Sequence, residues 1–293
     1  VEQGPANARE RETFASLAAD PPLPEDWLRA QPDGLLHPRA GLVAPAAAIA
    51  AMTRAAEIRR GARGRTLERD CSGWIVRDGA SEMLAHAGCV VLACGPAIAG
   101  FAQTAWLPLR YSRGQLDWAA LEGEAPAHAR AAGAYAAPFQ NQLLFGATFD
   151  RAAPEEIPRA DAASTARNRA ALERLAPEAA AAIDDARMGA RAALRVSAPD
   201  LGPIAGLAPD APAWRERFDG LRQGRRLDRS ASAPAHDGLY LLGALGARGF
   251  TLAPILAERV VSEICGEPQA LDADVLDAVH PARFLARALK RGG

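Results

Sequence analysis

The chain has 293 residues, 49% of them hydrophobic, with 34 basic and 35 acidic side chains for a net charge of −1. That length can bury a large core in one wide domain or two smaller ones. The balanced charge supplies no global field that would draw the molecule onto nucleic acid or an anionic membrane. Arginine carries nearly all the positive charge, since Lys290 is the only lysine.

Residues 1–33 are polar and Pro-rich in "DPPLPEDW", and read as a helix followed by a connector. Pro45 opens "PAAAIAAMTRAAEIRR" and Gly61 lies just past it, so a helix is expected over 45–60. "TLERDCSGWIVRDGASEMLAHAGCVVLACG" alternates short extended runs with turn signals. It predicts a small meander ending in a buried strand, "CVVLAC", closed by Gly95 and Pro96. "LPLRYSRGQLDW", "GAYAAPF" and "QLLFGATFD" are apolar and aromatic runs broken by Gly and Pro, the pattern of a second sheet. Residues 161–184 are helical with an interruption at Pro177, and "ARAALRVSAPDLGPIAGLAP" returns to extended structure.

"GLYLLGAL" is a last buried strand. It runs through Gly243, Gly246 and Gly249 into a helix whose Leu252, Ile255, Leu256, Val260 and Ile264 share one face. Strand–helix alternation at both ends around a β-rich middle predicts an α/β chain, with mixed α+β character, in two domains.

The four cysteines show no metal spacing. Cys89 and Cys94 flank "VVLA" and are expected as buried thiols. His37, His86, His128, His236 and His280 form no group with acids at ligand spacing, so no metal is expected. Ser112, Ser197 and Thr251 have no neighbouring base in sequence, which leaves acyl transfer unsupported. There is no signal peptide and no apolar run long enough to span a bilayer, and a reduced cytoplasmic setting fits.

The turn at 243–251 carries the chemistry. A strand, a glycine-rich turn and a helix leave backbone N–H groups free at the positive end of the helix, suited to an anion or to a carbonyl oxygen that becomes anionic. From local pattern alone a tight strand–helix connection without a ligand explains the glycines equally well.

"GLYLLGALGARGFTLAPILAERV", "RVSAPDLGPIAG", "GAYAAPFQNQLLFGAT" and "VVLACGPAI" occur in order and resemble motifs of the FAD-dependent D-amino-acid oxidase superfamily. Within it, the tail "GEPQALDADVLDAVHPARFLARALKRG" resembles the oxidoreductase part of the bifunctional tRNA-modifying proteins of the MnmC family. The resemblance covers residues 34 to 293. It implies an incomplete FAD-binding Rossmann-like domain with a meander (1–104), a β-rich substrate domain (105–205), and a return to the FAD-binding domain (206–293). Nothing in residues 1–40 matches the G-x-G-x-x-G turn with which the superfamily begins. The expectation is a chain lacking that front and its pyrophosphate cradle, preceded by a missing N-terminal segment or a methyltransferase domain.

The resemblance implies FAD as cofactor, met by Gly95, Gly243, Gly246, Ala247, Arg248, Gly249, Phe250 and Thr251. It also implies oxidation of a glycine-like N–CH2–COO⁻ unit. In the tRNA-modifying family that unit hangs on a wobble uridine as carboxymethylaminomethyl, and glyoxylate is released. Arg195 and Arg248 fall where superfamily members place carboxylate-binding arginines. Arginine is the natural bidentate partner for that group, although any single arginine in so arginine-rich a chain also reads as a solvated surface residue. Tyr135 reads either as a wall of the substrate cavity or as a packed strand aromatic. Arg225 and Arg226 in "RRLDR", with Arg283, Arg287 and Arg291 four residues apart, are candidates for tRNA contact, or form a solvated basic face. A glycine or sarcosine oxidase, and a non-catalytic RNA- or partner-binding remnant, are the competing expectations.

Overall fold

The computed structural model describes residues 1–122, 126–225 and 233–292. The chain opens with β1 (Glu2–Gln3), α1 (Ala8–Ala19), β2 (Arg29–Gln31), β3 (Gly34–Leu36) and α2 (Pro45–Met52). Then come β4 (Thr66–Arg69), β5 (Trp74–Arg77), β6 (Met83–Ala87), β7 (Val90–Leu92) and a 3-10 turn, Gly95–Gly100. The middle holds β8 (Arg110–Leu121), β9 (Arg130–Ala131), β10 (Tyr135–Phe139), β11 (Gln142–Gly146), β12 (Asp150–Arg151), α3 (Ala162–Leu175) and α4 (Pro177–Ala181). The last part holds β13 (Ile183–Ser197), β14 (Ile204–Pro209), α5 (Ala211–Arg217), a 3-10 segment Asp219–Gln223, β15 (Ala235–Gly243), α6 (Gly249–Cys265), α7 (Ala273–Val279) and α8 (Arg283–Lys290).

These elements form two compact units. One comprises residues 1–58, 113–151 and 156–193; the other comprises 59–112, 152–155 and 194–293. The sequence-based division at 104 and 205 therefore differs from the packing. Residues 1–58 join the first unit because β1 pairs in parallel with β9 and antiparallel with β3, Glu2 lying opposite both Arg130 and Leu36.

The first unit is built on a sheet ordered β12-β8-β11-β10-β9-β1-β3-β2, with β13 also paired to β8. Leu143, Phe145, Ala119 and Ala136 on the sheet pack against Leu172, Ala176 and Ala180 of α3 and α4. Asp161 starts α3 by accepting from the Ser164 amide at 2.7 Å, a side-chain cap for an otherwise orphaned donor. Pro177 breaks the helical run where expected, since it opens α4 and has no N–H to continue α3.

The second unit contains the expected antiparallel meander β4-β5-β6 and a three-stranded sheet ordered β14-β15-β7. In that sheet β15 runs parallel to β7 and antiparallel to β14. Its core gathers Trp74, Leu92, Ile98, Ile204, Leu239 and Leu241. On another face, Leu256 and Val260 of α6 pack with Ala205, Tyr240 and Val279.

Two expectations change here. The helix at 45–60 stops at Met52, with Thr53 closing the last turn onto the Ile49 carbonyl. Ile49 and Met52 stay exposed, so no burial supports its extension. Cys89 and Cys94 are exposed free thiols. β7 lies at the end of the described sheet; Leu92 is buried in the core and Val90 packs against it half-buried, while Val91 is 41% exposed.

Candidate active site

The second unit assembles the predicted turn. β15 ends at Gly243 and α6 begins at Gly249, two residues earlier than Thr251, where the periodicity would start it. Gly243 is favoured by packing: a Cβ there would meet Ile98 Cδ1 at 3.0 Å, so that side chain would have to give way. Its place in the ligand set is therefore explained first by the strand's approach to the 3-10 turn. Gly246 is different. It holds φ +56, a left-handed conformation costly for side chains with a Cβ, yet a Cβ there would meet only Ser197 Cβ at 4.0 Å. Gly249, and Gly95 at the end of β7, have open space around them.

A backbone pairing joins the two motifs. The Gly246 amide donates to the Val196 carbonyl at 2.8 Å, and Ser197 bridges Leu245 antiparallel. Arg195 thus stands two residues before the bridge on β13, half-buried, and Arg248 stands three residues after it. Arg248 is the N-cap residue of α6 with an exposed side chain, and its Nη2 donates to the Leu201 carbonyl at 2.7 Å. One edge of the guanidinium is thereby held by the Asp-x-x-Pro-x-x-Gly segment, and its remaining donors face outward. Ala247, Phe250 and Thr251 are exposed beside it. Leu201 was not singled out in the sequence, and Ser197 was weighed there only for acyl transfer. The signal for both was their position inside the motif itself. Tyr135 belongs to the first unit, half-buried on β10 between Ala131 and Gly146.

The remaining motif residues are structural. Asp200 accepts from Arg283 Nε at 2.9 Å and Nη2 at 3.2 Å, from the Gly202 amide at 3.1 Å, and from Arg287. Burial alone would raise its carboxyl, but the two guanidiniums hold it well below the usual carboxylate range. Arg283 is buried and also donates to the carbonyls of Val279 and Gly202. This corrects its nomination for tRNA contact, because a guanidinium committed in this way has no face left for a phosphate. Gly206 takes φ +128, and a Cβ there would come within 3.0 Å of Arg259 Nη2. Arg225, Arg287 and Arg291 are exposed, whereas Arg226 lies outside the described residues.

In the first unit a buried polar network ties α3 to the sheet. Asp117, fully buried, accepts from Gln115 Nε2 at 3.1 Å, Thr165 Oγ1 at 2.7 Å and Asn168 Nδ2 at 2.6 Å. Arg113 at its margin bridges Asp150, Asp161 and the Arg159 carbonyl. Among the described residues no group of three or more His, Cys, Asp or Glu could hold a metal, and no helix is long and apolar enough to cross a membrane.

A strand–turn–helix that offers a helix N-terminus and glycine-lined space, beside paired arginine-bearing segments, suits a planar cofactor with an electron-accepting edge. The family comparison agrees: the model described as FAD dependent oxidoreductase matches residues 5–263, and the chain belongs to that family, whose cofactor is FAD. Among its relatives is the tRNA 5-methylaminomethyl-2-thiouridine biosynthesis bifunctional protein MnmC of Chromohalobacter salexigens, 33% identical over 294 residues, covering 95% of this chain and 40% of the relative. The protein of the same name from Caulobacter vibrioides is 36% identical over 245 residues, covering 84% and 35%. The chain thus spans about 40% of the length of such relatives. Glycine oxidase from Bacillus cereus shares the fold with TM-score 0.64 at 15% identity, over 92% of this chain and 75% of that one. Fructosamine oxidase from Aspergillus fumigatus does so with TM-score 0.56 at 16% identity, over 98% and 67%.

Proposed function

We propose that the chain is the oxidoreductase part of a tRNA-modifying enzyme, acting in the cytoplasm on the N–CH2–COO⁻ unit of carboxymethylaminomethyl-uridine. The unit loses two electrons and two protons, formally a hydride from the methylene carbon and a proton from nitrogen, as its C–N bond becomes an imine. Water then adds, the C–N bond breaks, and glyoxylate leaves aminomethyl-uridine behind. FAD, when bound, supplies the electron acceptor.

The chain's own residues orient and bind. Arg248, steadied by Leu201, offers its free guanidinium edge to the substrate carboxylate, and Arg195 on the bridged segment is the second candidate. The N-terminus of α6, entered through Gly246 and Gly249, would offer backbone N–H groups and its positive end to bound FAD. Such a reaction requires alignment of the methylene more than acid–base groups.

The observation that supports this reading is the Gly246–Val196 pairing, a backbone hydrogen bond between the segment that carries Arg195 and the turn that carries Arg248. The test is turnover by the complete gene product of tRNA bearing carboxymethylaminomethyl-uridine, against free glycine and sarcosine. Preference for the tRNA supports the reading. Equal or better oxidation of the free amines replaces it with an amine oxidase.

A further inference from the structure

We infer that the second unit carries a docking platform for the phosphate backbone of RNA on the body formed by α5, the 3-10 segment 219–223 and α8. The inference rests on the proposed action on tRNA and assigns its contact surface. The three elements share one apolar cluster: Trp214, Ala211, Leu221, Leu285 and Leu289 are buried together, with Phe218 and Ala286 against them. Because those side chains point inward, the intervening positions point out. They are Arg215 and Arg217 of α5, Arg222 of the 3-10 segment, and Arg287, Lys290 and Arg291 at α8, all exposed.

The charge is local. The whole molecule is at −1, whereas residues 281–293 contain no acid at all. The acids within the other two elements are Glu216 and Asp219, the latter 2.8 Å from Arg222 Nε. Arg287 touches Asp200. The exposed Asp219–Arg222 pair holds weakly and leaves Arg222 available to a phosphate.

The chemistry of the patch selects the partner. Arginine forks match phosphate oxygens bidentately. None of the strongly exposed bulky apolar residues among the described positions lies in 211–225 or 281–292. A membrane surface or an apolar protein hot spot would call for such residues. A polyanion read through its backbone does not. Arg283 lies beneath the platform, buried and tied to Asp200, and positions α8 rather than touching RNA.

The test uses the complete gene product and a tRNA transcript, followed by fluorescence anisotropy over a range of salt. The variant combines Arg215→Ala, Arg217→Ala, Lys290→Ala and Arg291→Ala, all at exposed positions. Its affinity should fall ~10- to 100-fold at low salt, and the slope of log Kd against log salt should drop by about 3, at ~0.7–0.9 per lost phosphate contact. Lys290→Glu alone should give a smaller change in the same direction. Wild-type affinity and slope in the combined variant overturn the platform, as does weaker binding with an unchanged slope. A wild-type protein that ignores tRNA overturns both the platform and the proposed reaction. If the platform binds tRNA as described but the wild type does not oxidise the modified uridine, only the proposed reaction falls.

Discussion

Asp200 and Arg283, 83 residues apart, meet through two parallel hydrogen bonds of 2.9 and 3.2 Å. The carboxylate belongs to the segment whose Leu201 carbonyl steadies Arg248, and the guanidinium belongs to α8. Removing Arg283 takes a donor from a partly buried carboxylate and from the carbonyls of Val279, His280 and Gly202 at once. Arg283→Ala should cost about 3 kcal/mol, the lower end for a broken buried pair because Arg287 still reaches Asp200. Chemical denaturation measures it. A loss under 1 kcal/mol would show that the pair holds nothing together.

The same carboxylate sets an acid limit. Its folded pKa is depressed, so its contribution is fully present above the unfolded value of about 3.9 and is lost as pH falls below that value toward the folded one. Asp200→Asn should flatten the stability curve below about pH 4. A variant curve parallel to wild type there would contradict the assignment.

His280 acts at higher pH. Burial pushes its imidazole pKa down. The unfolded chain therefore takes up the proton first, and stability falls as pH drops below about 6.5. His37 and His236 are lowered by burial as well and add to the slope. His280→Gln should reduce the loss between pH 7 and 5, read from melting temperatures across that range, and an undiminished slope would rule His280 out as a contributor.

Asp117→Asn changes one atom, yet should cost about 2 kcal/mol. All three groups on this carboxylate donate to it, so the new amide nitrogen must face a donor. A neutral result in urea unfolding would mean that the network can rearrange.

Gly246→Ala separates backbone cost from the cradle. The residue has room for a methyl group, so stability should fall by only about 1–2 kcal/mol, from φ alone. Flavin retention by the complete gene product on desalting should fall much further, because the methyl enters the space assigned to the cofactor. Retention equal to wild type would move the cofactor elsewhere.

Arg248→Ala should lower kcat/KM by roughly 2–5 kcal/mol in transition-state terms while flavin binding persists. Wild-type kinetics would remove the carboxylate assignment, whatever the fate of Arg195.

Much of this was legible in the sequence. The Pro177 break, the meander and the glycine turn followed from local chemistry, because each depends on a missing N–H, an alternation or a positive φ. Other features depended on partners far along the chain. Nothing near Glu2 announces that it pairs with Arg130. The spacing of Arg283, Arg287 and Arg291 suggested one exposed stripe, but Asp200 buries the first and leaves the others outside. Cys89 and Cys94 looked buried because "VVLA" is apolar, yet apolarity does not reveal which strand ends the sheet. Gly243 and Gly246 looked alike in sequence, and only the presence of Ile98 beside one distinguishes packing from an open cradle.

Two free thiols beside β7 decide how this protein must be handled. Among the described residues β7 pairs with β15 alone, Val91 is exposed, and Cys89 and Cys94 lie just beyond its two ends as exposed thiols, so any copies that meet along this strand bring thiols together. Once two copies align there, air is sufficient to bolt them together through Cys89 or Cys94. Preparations kept without reductant should accumulate covalent pairs and then larger aggregates, and a Cys89→Ser, Cys94→Ser chain should keep on the shelf.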